Sequence, residues 1–201
     1  AKNLAFILPA GKYIGNSRYK DVFAASTTAD LTSFRNHWGA ETSLDVELYR
    51  PVARYELVAK DVATFLNKLS TGGLKGESFT ARVKYSDYLP TGYNLWDDVP
   101  KNSLMYMEYK VAFEPPADGT KELILGFDYV LTDVGETVSI PVELEILNEK
   151  NEVLARTAFR IPCERGKNTA VRGNFLTSDA NGGIGIDPDY DGDLEVDLGE
   201  L

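Results

Sequence analysis

The densest run of chemistry-bearing residues is Asp187-Pro188-Asp189-Tyr190-Asp191-Gly192-Asp193. Its D-x-D-x-D-G order is that of an opening EF-hand loop, in which alternate carboxylates converge on a hard cation. The rest of the pattern fails. The twelfth loop position is Leu198, where a bidentate Glu is required, Pro188 stiffens the second position, and no helical periodicity flanks the run. No metal site is assigned; Asp187, Asp189 and Asp191 stay a weak calcium candidate beside the plainer reading of a solvated turn, for which Asp and Gly have the right geometry.

Other chemistry is equally thin. His37 is the one histidine and lies in the polar run Arg35-Asn36-His37-Trp38-Gly39, with no nucleophile-elbow sequence anywhere in the chain. Cys163, the one cysteine, follows Ile161-Pro162 at a strand end and reads as a small buried apolar residue rather than a reactive thiol. One His and one Cys exclude a His/Cys zinc cage, and a single Cys excludes an internal disulfide. Pairs of carboxylates spaced for glycoside hydrolysis arise by chance among 31 acids and carry no information. Gly182-Gly183-x-Gly185 leads into Ile186-Asp187-Pro188 rather than a helix, so it is no phosphate loop. The chain is expected to have no catalytic residues and no cofactor, and not to be an enzyme. Tyr88, Tyr93 and Trp96, grouped around Pro90-Thr91-Gly92, are the candidate ligand-contact aromatics, since such rings stack on sugars or proteins. The competing reading makes them core and rim residues of a β-sheet.

Twenty-one Lys and Arg against 31 Asp and Glu give a net charge of -10, which repels phosphate backbones and anionic lipid. Nucleic acid is therefore not an expected partner. No apolar run approaches the roughly 20 residues of a membrane-spanning helix, so no direct span is expected. The chain opens at Ala1 in strand-like sequence with no signal-peptide pattern, from which a removed leader is expected.

The elements that must position these residues are mostly strands. Phe79, Ala81, Val83 and Tyr85 alternate with polar residues, as do Met105, Met107, Tyr109, Val111 and Phe113. Residues 142–161 read as a hairpin turning at Asn148-Glu149-Lys150-Asn151, with Pro141 and Pro162 placed at strand ends or on an edge because proline cannot donate to a ladder. Further strands are expected at 43–49, 52–58, 122–131, 169–176 and 194–198. Val62, Phe65, Leu66 and Leu69 after Asp61 predict one short helix over 61–70, N-capped by Asp61 and stopped by Gly72-Gly73. Many short strands with turns about every ten residues define an all-β Greek-key sandwich carrying one short helix. Residues 43–201 are assigned to this sandwich, and 1–42 to the tail of an N-terminal β domain, or an abbreviated one.

The ending from Asn168-Thr169-Ala170-Val171-Arg172-Gly173-Asn174-Phe175-Leu176-Thr177 to Gly185-Ile186-Asp187-Pro188-x-Tyr190-Asp191-Gly192 resembles that of fimbrillin-like and fimbrial anchor-like surface proteins of Bacteroidetes. Val46-Glu47-Leu48-Tyr49-Arg50-Pro51-Val52-Ala53-Arg54, Tyr19-Lys20-Asp21-Val22-Phe23 and Leu89-Pro90-Thr91-Gly92-Tyr93-Asn94 are similar to further elements of that family. The resemblance implies a transthyretin-like Greek-key sandwich, often in tandem, on a lipoprotein precursor exported to the outer membrane surface or to a fimbrium (pilus). It also implies cell adhesion and assembly by strand exchange, with other pilus subunits, host or cell-surface proteins, or glycans as partners. The strand-exchange candidates are Leu4, Phe6 and Leu8 near the start and Leu194, Val196 and Leu198 near the end. The alternative function is a carbohydrate- or protein-binding module of a surface uptake system.

Overall fold

The computed structural model describes residues 13–72 and 77–178 in full, and the backbone of 3–5 and 195–197. Its elements in chain order are β1 (Asn3–Ala5), β2 (Val52–Ala59), α1 (Val62–Gly72), β3 (Phe79–Tyr85), β4 (Leu89–Asn94), β5 (Val99–Leu104) and β6 (Glu108–Phe113). There follow β7 (Leu123–Leu131), β8 (Thr137–Leu147), β9 (Val153–Glu164), β10 (Asn168–Gly173) and β11 (Glu195–Asp197). Two four-stranded sheets, ordered β11-β10-β2-β7 and β6-β3-β8-β9, face each other as a sandwich, and a smaller sheet β1-β4-β5 accompanies them. The chain is mainly β, as expected. Connections β2 to β3, β6 to β7, β7 to β8 and β9 to β10 pass between the two large sheets, the Greek-key habit, and β10 returns parallel to β2.

Alternation puts one face of each sheet inside. Ala53, Tyr55, Leu57 and Ala59 of β2 meet Phe79, Ala81, Val83 and Tyr85 of β3 and Val142, Leu144 and Ile146 of β8 in one core cluster. Helix α1 adds Val62, Phe65 and Leu69 to it, with the Phe65 ring edge-on to Phe79 at 5.2 Å between centroids. Tyr13 belongs to the same cluster, and Lys20 is fully buried, so these two side chains from before position 43 pack inside this sandwich.

Strand β7 departs from simple alternation. Leu57 pairs with Gly126 but Val58 pairs with Ile124, so Leu125 is an extra, bulged residue. Beyond the bulge the inward set becomes Gly126, Asp128 and Val130, opposite Leu57, Tyr55 and Ala53. Phe127, Tyr129 and Leu131 are turned outward, where they form a second apolar cluster with Val52, Val22, Tyr93 and Leu95. This cluster joins the β4–β5 hairpin to the outer face of the sheet.

Several expectations need correction. Residues 43–49 form no strand: Tyr49 makes a single bridge to Ala24, and Leu44, Val46 and Leu48 are exposed. Their apolar alternation has no neighbouring edge to pair with, and a strand without a ladder partner has no hydrogen-bonded structure. The stripe from Met105 is shorter than its pattern, because Tyr106 takes φ 60° and the strand begins only at Glu108. Pro141 and Pro162 lie inside β8 and β9 rather than at their ends. Pro162 is on the edge strand β9, and Pro141 lies just past the last β3 partner, so neither breaks a ladder. The expected helix over 61–70 is α1, running to Gly72. The Asp61 carboxylate accepts the Leu176 N–H at 3.0 Å and the Thr177 hydroxyl at 2.7 Å, which fastens the helix start to the turn after β10.

Candidate functional site

The sequence-predicted residues fall at three places. At the sheet edges, β11 lies antiparallel on β10 with Val196 opposite Thr169, and β1 lies antiparallel on β4 with Leu4 opposite Tyr93. Each is a three-residue strand at the margin of its sheet. β11 covers Asn168 to Ala170, while β10 continues to Gly173. Such margins carry main-chain donors and acceptors that any extended chain of suitable register satisfies. Phe6, Leu8, Leu194 and Leu198, and the acidic run with Asp187, Asp189 and Asp191, lie outside the described residues.

The three candidate aromatics are not brought together. Tyr93 is 0% exposed, its ring in the second apolar cluster and its hydroxyl donating to the Asp98 carboxylate at 2.9 Å, so it has no face for a ligand. Tyr88 and Trp96 are exposed, at 64% and 81%. They flank opposite ends of β4, a six-residue strand and therefore roughly 20 Å apart. The two most exposed further rings, absent from the sequence candidates, are Tyr106 beside the Tyr88 end of the hairpin and Trp38 in the loop closed by the Ala24–Tyr49 bridge. In sequence Trp38 is only one member of a polar run. His37 is exposed in the same loop, and Cys163 is fully buried, its thiol pushed up to about 12 by burial and by the Asp128 charge.

The third place is one that sequence reasoning did not find. Asp128 is buried at the centre of the sandwich and accepts four hydrogen bonds within 2.8 Å: Lys20 Nζ and the Tyr129 N–H on Oδ1, and the Tyr13 and Tyr85 hydroxyls on Oδ2. Lys20 Nζ also donates to the Tyr13 hydroxyl at 2.6 Å and lies 4.0 Å from the centre of its ring. Tyr55 extends the chain, 2.6 Å from the Tyr85 hydroxyl and 3.2 Å from that of Tyr109. Burial, and then the Asp128 charge, push the Tyr13 and Tyr85 hydroxyls well above the ordinary phenol value. Burial lowers Lys20, against the opposing pull of Asp128. No signal in the period-two pattern marks this group, because the β7 bulge decides that Asp128 faces inward.

Among the described residues no group of three or more His, Cys, Asp or Glu is placed to hold a metal ion, and no helix is long and apolar enough to cross a membrane. The geometry defines a mainly-β sandwich domain with short terminal strands at its sheet margins and a dry polar centre. The chain belongs to a protein family of unknown function, DUF6562, which matches residues 1–199. No curated protein matches it. One similar crystal structure is of a Bacteroides ovatus ATCC 8483 protein whose assignment as a cell adhesion protein is itself provisional. It is 12% identical with a TM-score of 0.34, and the match covers 63% of this chain and 41% of that one. The chain thus spans less than half the length of that protein, and a likeness this distant carries no argument about function.

Proposed function

We propose that the protein is a non-enzymatic structural or adhesive subunit of a bacterial cell surface, a fimbrial subunit or anchor of fimbrillin-like kind that joins its neighbours by strand exchange. The observation that carries this reading is β11, three residues long and laid on the margin of β10, whose last three residues extend past it. An edge closed by so short a strand is readily reopened to a longer one from another molecule, since main-chain pairing supplies affinity and alternate side-chain sites supply register. The resemblance of its motifs to fimbrillin-like sequences supports the same reading, as does a net charge of -10, which keeps monomers apart and soluble until a specific edge is engaged. Its partners are other pilus subunits, host or cell-surface proteins, or glycans. Sedimentation of the full chain and of forms trimmed before residue 13 or after residue 178 tests it. Trimming is expected to open an edge and produce oligomers or uptake of a peptide spanning 194–198, whereas strictly monomeric, peptide-indifferent behaviour in every form excludes it.

A carbohydrate- or protein-binding module is the second reading, favoured by the 81% exposure of Trp96 at the tip of the β4–β5 hairpin. Glycan-array binding lost on Trp96→Ala, with the fold retained, would support it over the first.

A further inference from the structure

Lys20 and Asp128 form an ion pair in which both side chains are 0% exposed. They are 108 residues apart in the chain, one in a 3-10 turn (Arg18–Lys20) before the sandwich strands and the other on β7. A buried ion pair of this kind contributes little net stability over an apolar pair of the same volume, so stability alone does not account for it with four tyrosines around it.

Geometry supplies one. Nζ is 2.6 Å from Oδ1, which at an ordinary hydrogen-bond angle sets it roughly 3.4 Å from the carboxyl carbon. That separation is within reach of amide formation once the carboxyl plane turns its face to Nζ. The Tyr129 N–H on Oδ1 is aimed at the atom on which negative charge would develop when nitrogen adds to that carbon, and the Tyr85 hydroxyl holds Oδ2, the oxygen that would leave. The Tyr13 hydroxyl accepts from Nζ at 2.6 Å and donates to Oδ2 at 2.6 Å, a continuous path for a proton from amine to carboxyl. The site excludes water, the product that would otherwise drive the reaction back.

We propose that Lys20 and Asp128 condense in the folded protein to an intramolecular isopeptide bond. Tyr13 passes one proton from the Lys20 ammonium to Oδ2, leaving a neutral amine beside a neutral carboxylic acid. The Nζ lone pair then bonds to the Asp128 carboxyl carbon, and the C=O electron pair moves onto Oδ1, held by the Tyr129 N–H. A second proton follows the same path from Nζ to Oδ2, the C–Oδ2 bond breaks, and Oδ2 leaves as water while the C=O bond to Oδ1 reforms. One ammonium and one carboxylate give one amide and one water, with no oxidant, reductant or co-reactant. The product ties the segment before β2 to β7 at the centre of the sandwich, a tie that neither thiol reductant nor pulling on the chain releases.

The test is intact-mass spectrometry of the purified full chain after prolonged incubation, followed by a tryptic map. The expected mass is lighter than the sequence mass by one water. The expected map joins peptide 19–35 to peptide 122–150, with no cleavage after Lys20. Tyr13→Phe, which keeps the ring and removes the relay oxygen, is expected to return the chain to its full sequence mass. A wild-type chain at full sequence mass, with cleavage after Lys20 giving free 19–20 and 21–35, overturns the proposal whether or not the variant folds, and an undiminished bond in folded Tyr13→Phe overturns the relay.

Discussion

Arg165 grips Asp98 with two N–H donors, Nη1 to Oδ2 at 2.8 Å and Nη2 to Oδ1 at 3.1 Å. Its guanidinium also lies 4.1 Å from the centre of the Tyr49 ring, while the Tyr49 and Tyr93 hydroxyls donate to the same carboxylate. One arginine in the β9–β10 turn thereby fastens the β4–β5 hairpin tip and the segment entering β2. Both the fork and the stack need a planar group, so Arg165→Lys is expected to cost about 1–2 kcal/mol in denaturant unfolding. A loss indistinguishable from zero would mean the hairpin is held by the apolar contacts of Tyr93 alone.

Gly15 runs against the face of Tyr109 so closely that a Cβ there would collide with the ring carbons, and a Cβ on Gly126 would come within 3.2 Å of Val111 and 3.3 Å of Tyr109. The Tyr109 ring thus occupies space that both glycines leave. Gly15→Ala is expected to destabilise by roughly 1–3 kcal/mol, as overpacking does, and more than Gly126→Ala, where the neighbours need give only slightly. Equilibrium unfolding of the two variants side by side checks the order.

Glu145 is fully buried on the outer face of the β3-β8-β9 sheet among Arg82, Lys84 and Arg156. Burial raises its carboxyl, but hydrogen bonds from Lys84, Arg82 and Arg156 outweigh that and bring it down to about 2. A depressed carboxyl stabilises above its unfolded value and loses that stability as pH falls through the folded one. That contribution is expected to disappear between about pH 4.5 and pH 2. In Glu145→Gln the acid limb of a stability-pH curve should flatten.

Tyr13, Tyr55, Tyr85 and Tyr109 are all raised well above the ordinary phenol value, chiefly by burial. Their raised values stabilise the fold fully below about pH 10, and that stability is lost as pH climbs from there toward the folded values. Alkaline titration followed by tyrosinate absorbance should show these four ionising together with loss of sheet circular dichroism. Ionisation of all 11 tyrosines before any unfolding would contradict the dry centre.

Among the described residues Thr132 Oγ1 is a buried hydroxyl oxygen with no hydrogen-bond partner. An unmet buried polar group costs about 1–3 kcal/mol. Thr132→Val keeps the shape and removes the group, so its melting temperature should rise, and a fall would show that the hydroxyl is satisfied in solution.

Much of the scaffold was legible in the residues themselves. Strand β3 alternates cleanly because it buries one face, β2 and β8 alternate over their middle residues, and Val62, Phe65 and Leu69 mark the helix by the same logic at a period of 3.6. The backbone of Leu4 and Val196 lies on sheet margins. The aromatic group was legible as composition only, since Tyr88, Tyr93 and Trp96 are close in sequence but separated by the length and the two faces of β4.

Local pattern determined which segments are extended or helical, since that depends on near neighbours and on the side a residue presents. Tertiary structure decided the rest. Residues 43–49 have the alternation of a strand and none of its pairing, because a ladder partner must come from elsewhere in the chain. Read by alternation, Leu123, Leu125, Phe127, Tyr129 and Leu131 of β7 would share one face; the single bulge at Leu125 turns the last three outward and Asp128 inward. A one-residue shift inverts every side chain beyond it, and only the register against β2 reveals that shift. With it come the burial of Lys20 and the tyrosine ring around Asp128, none of which a sequence period encodes.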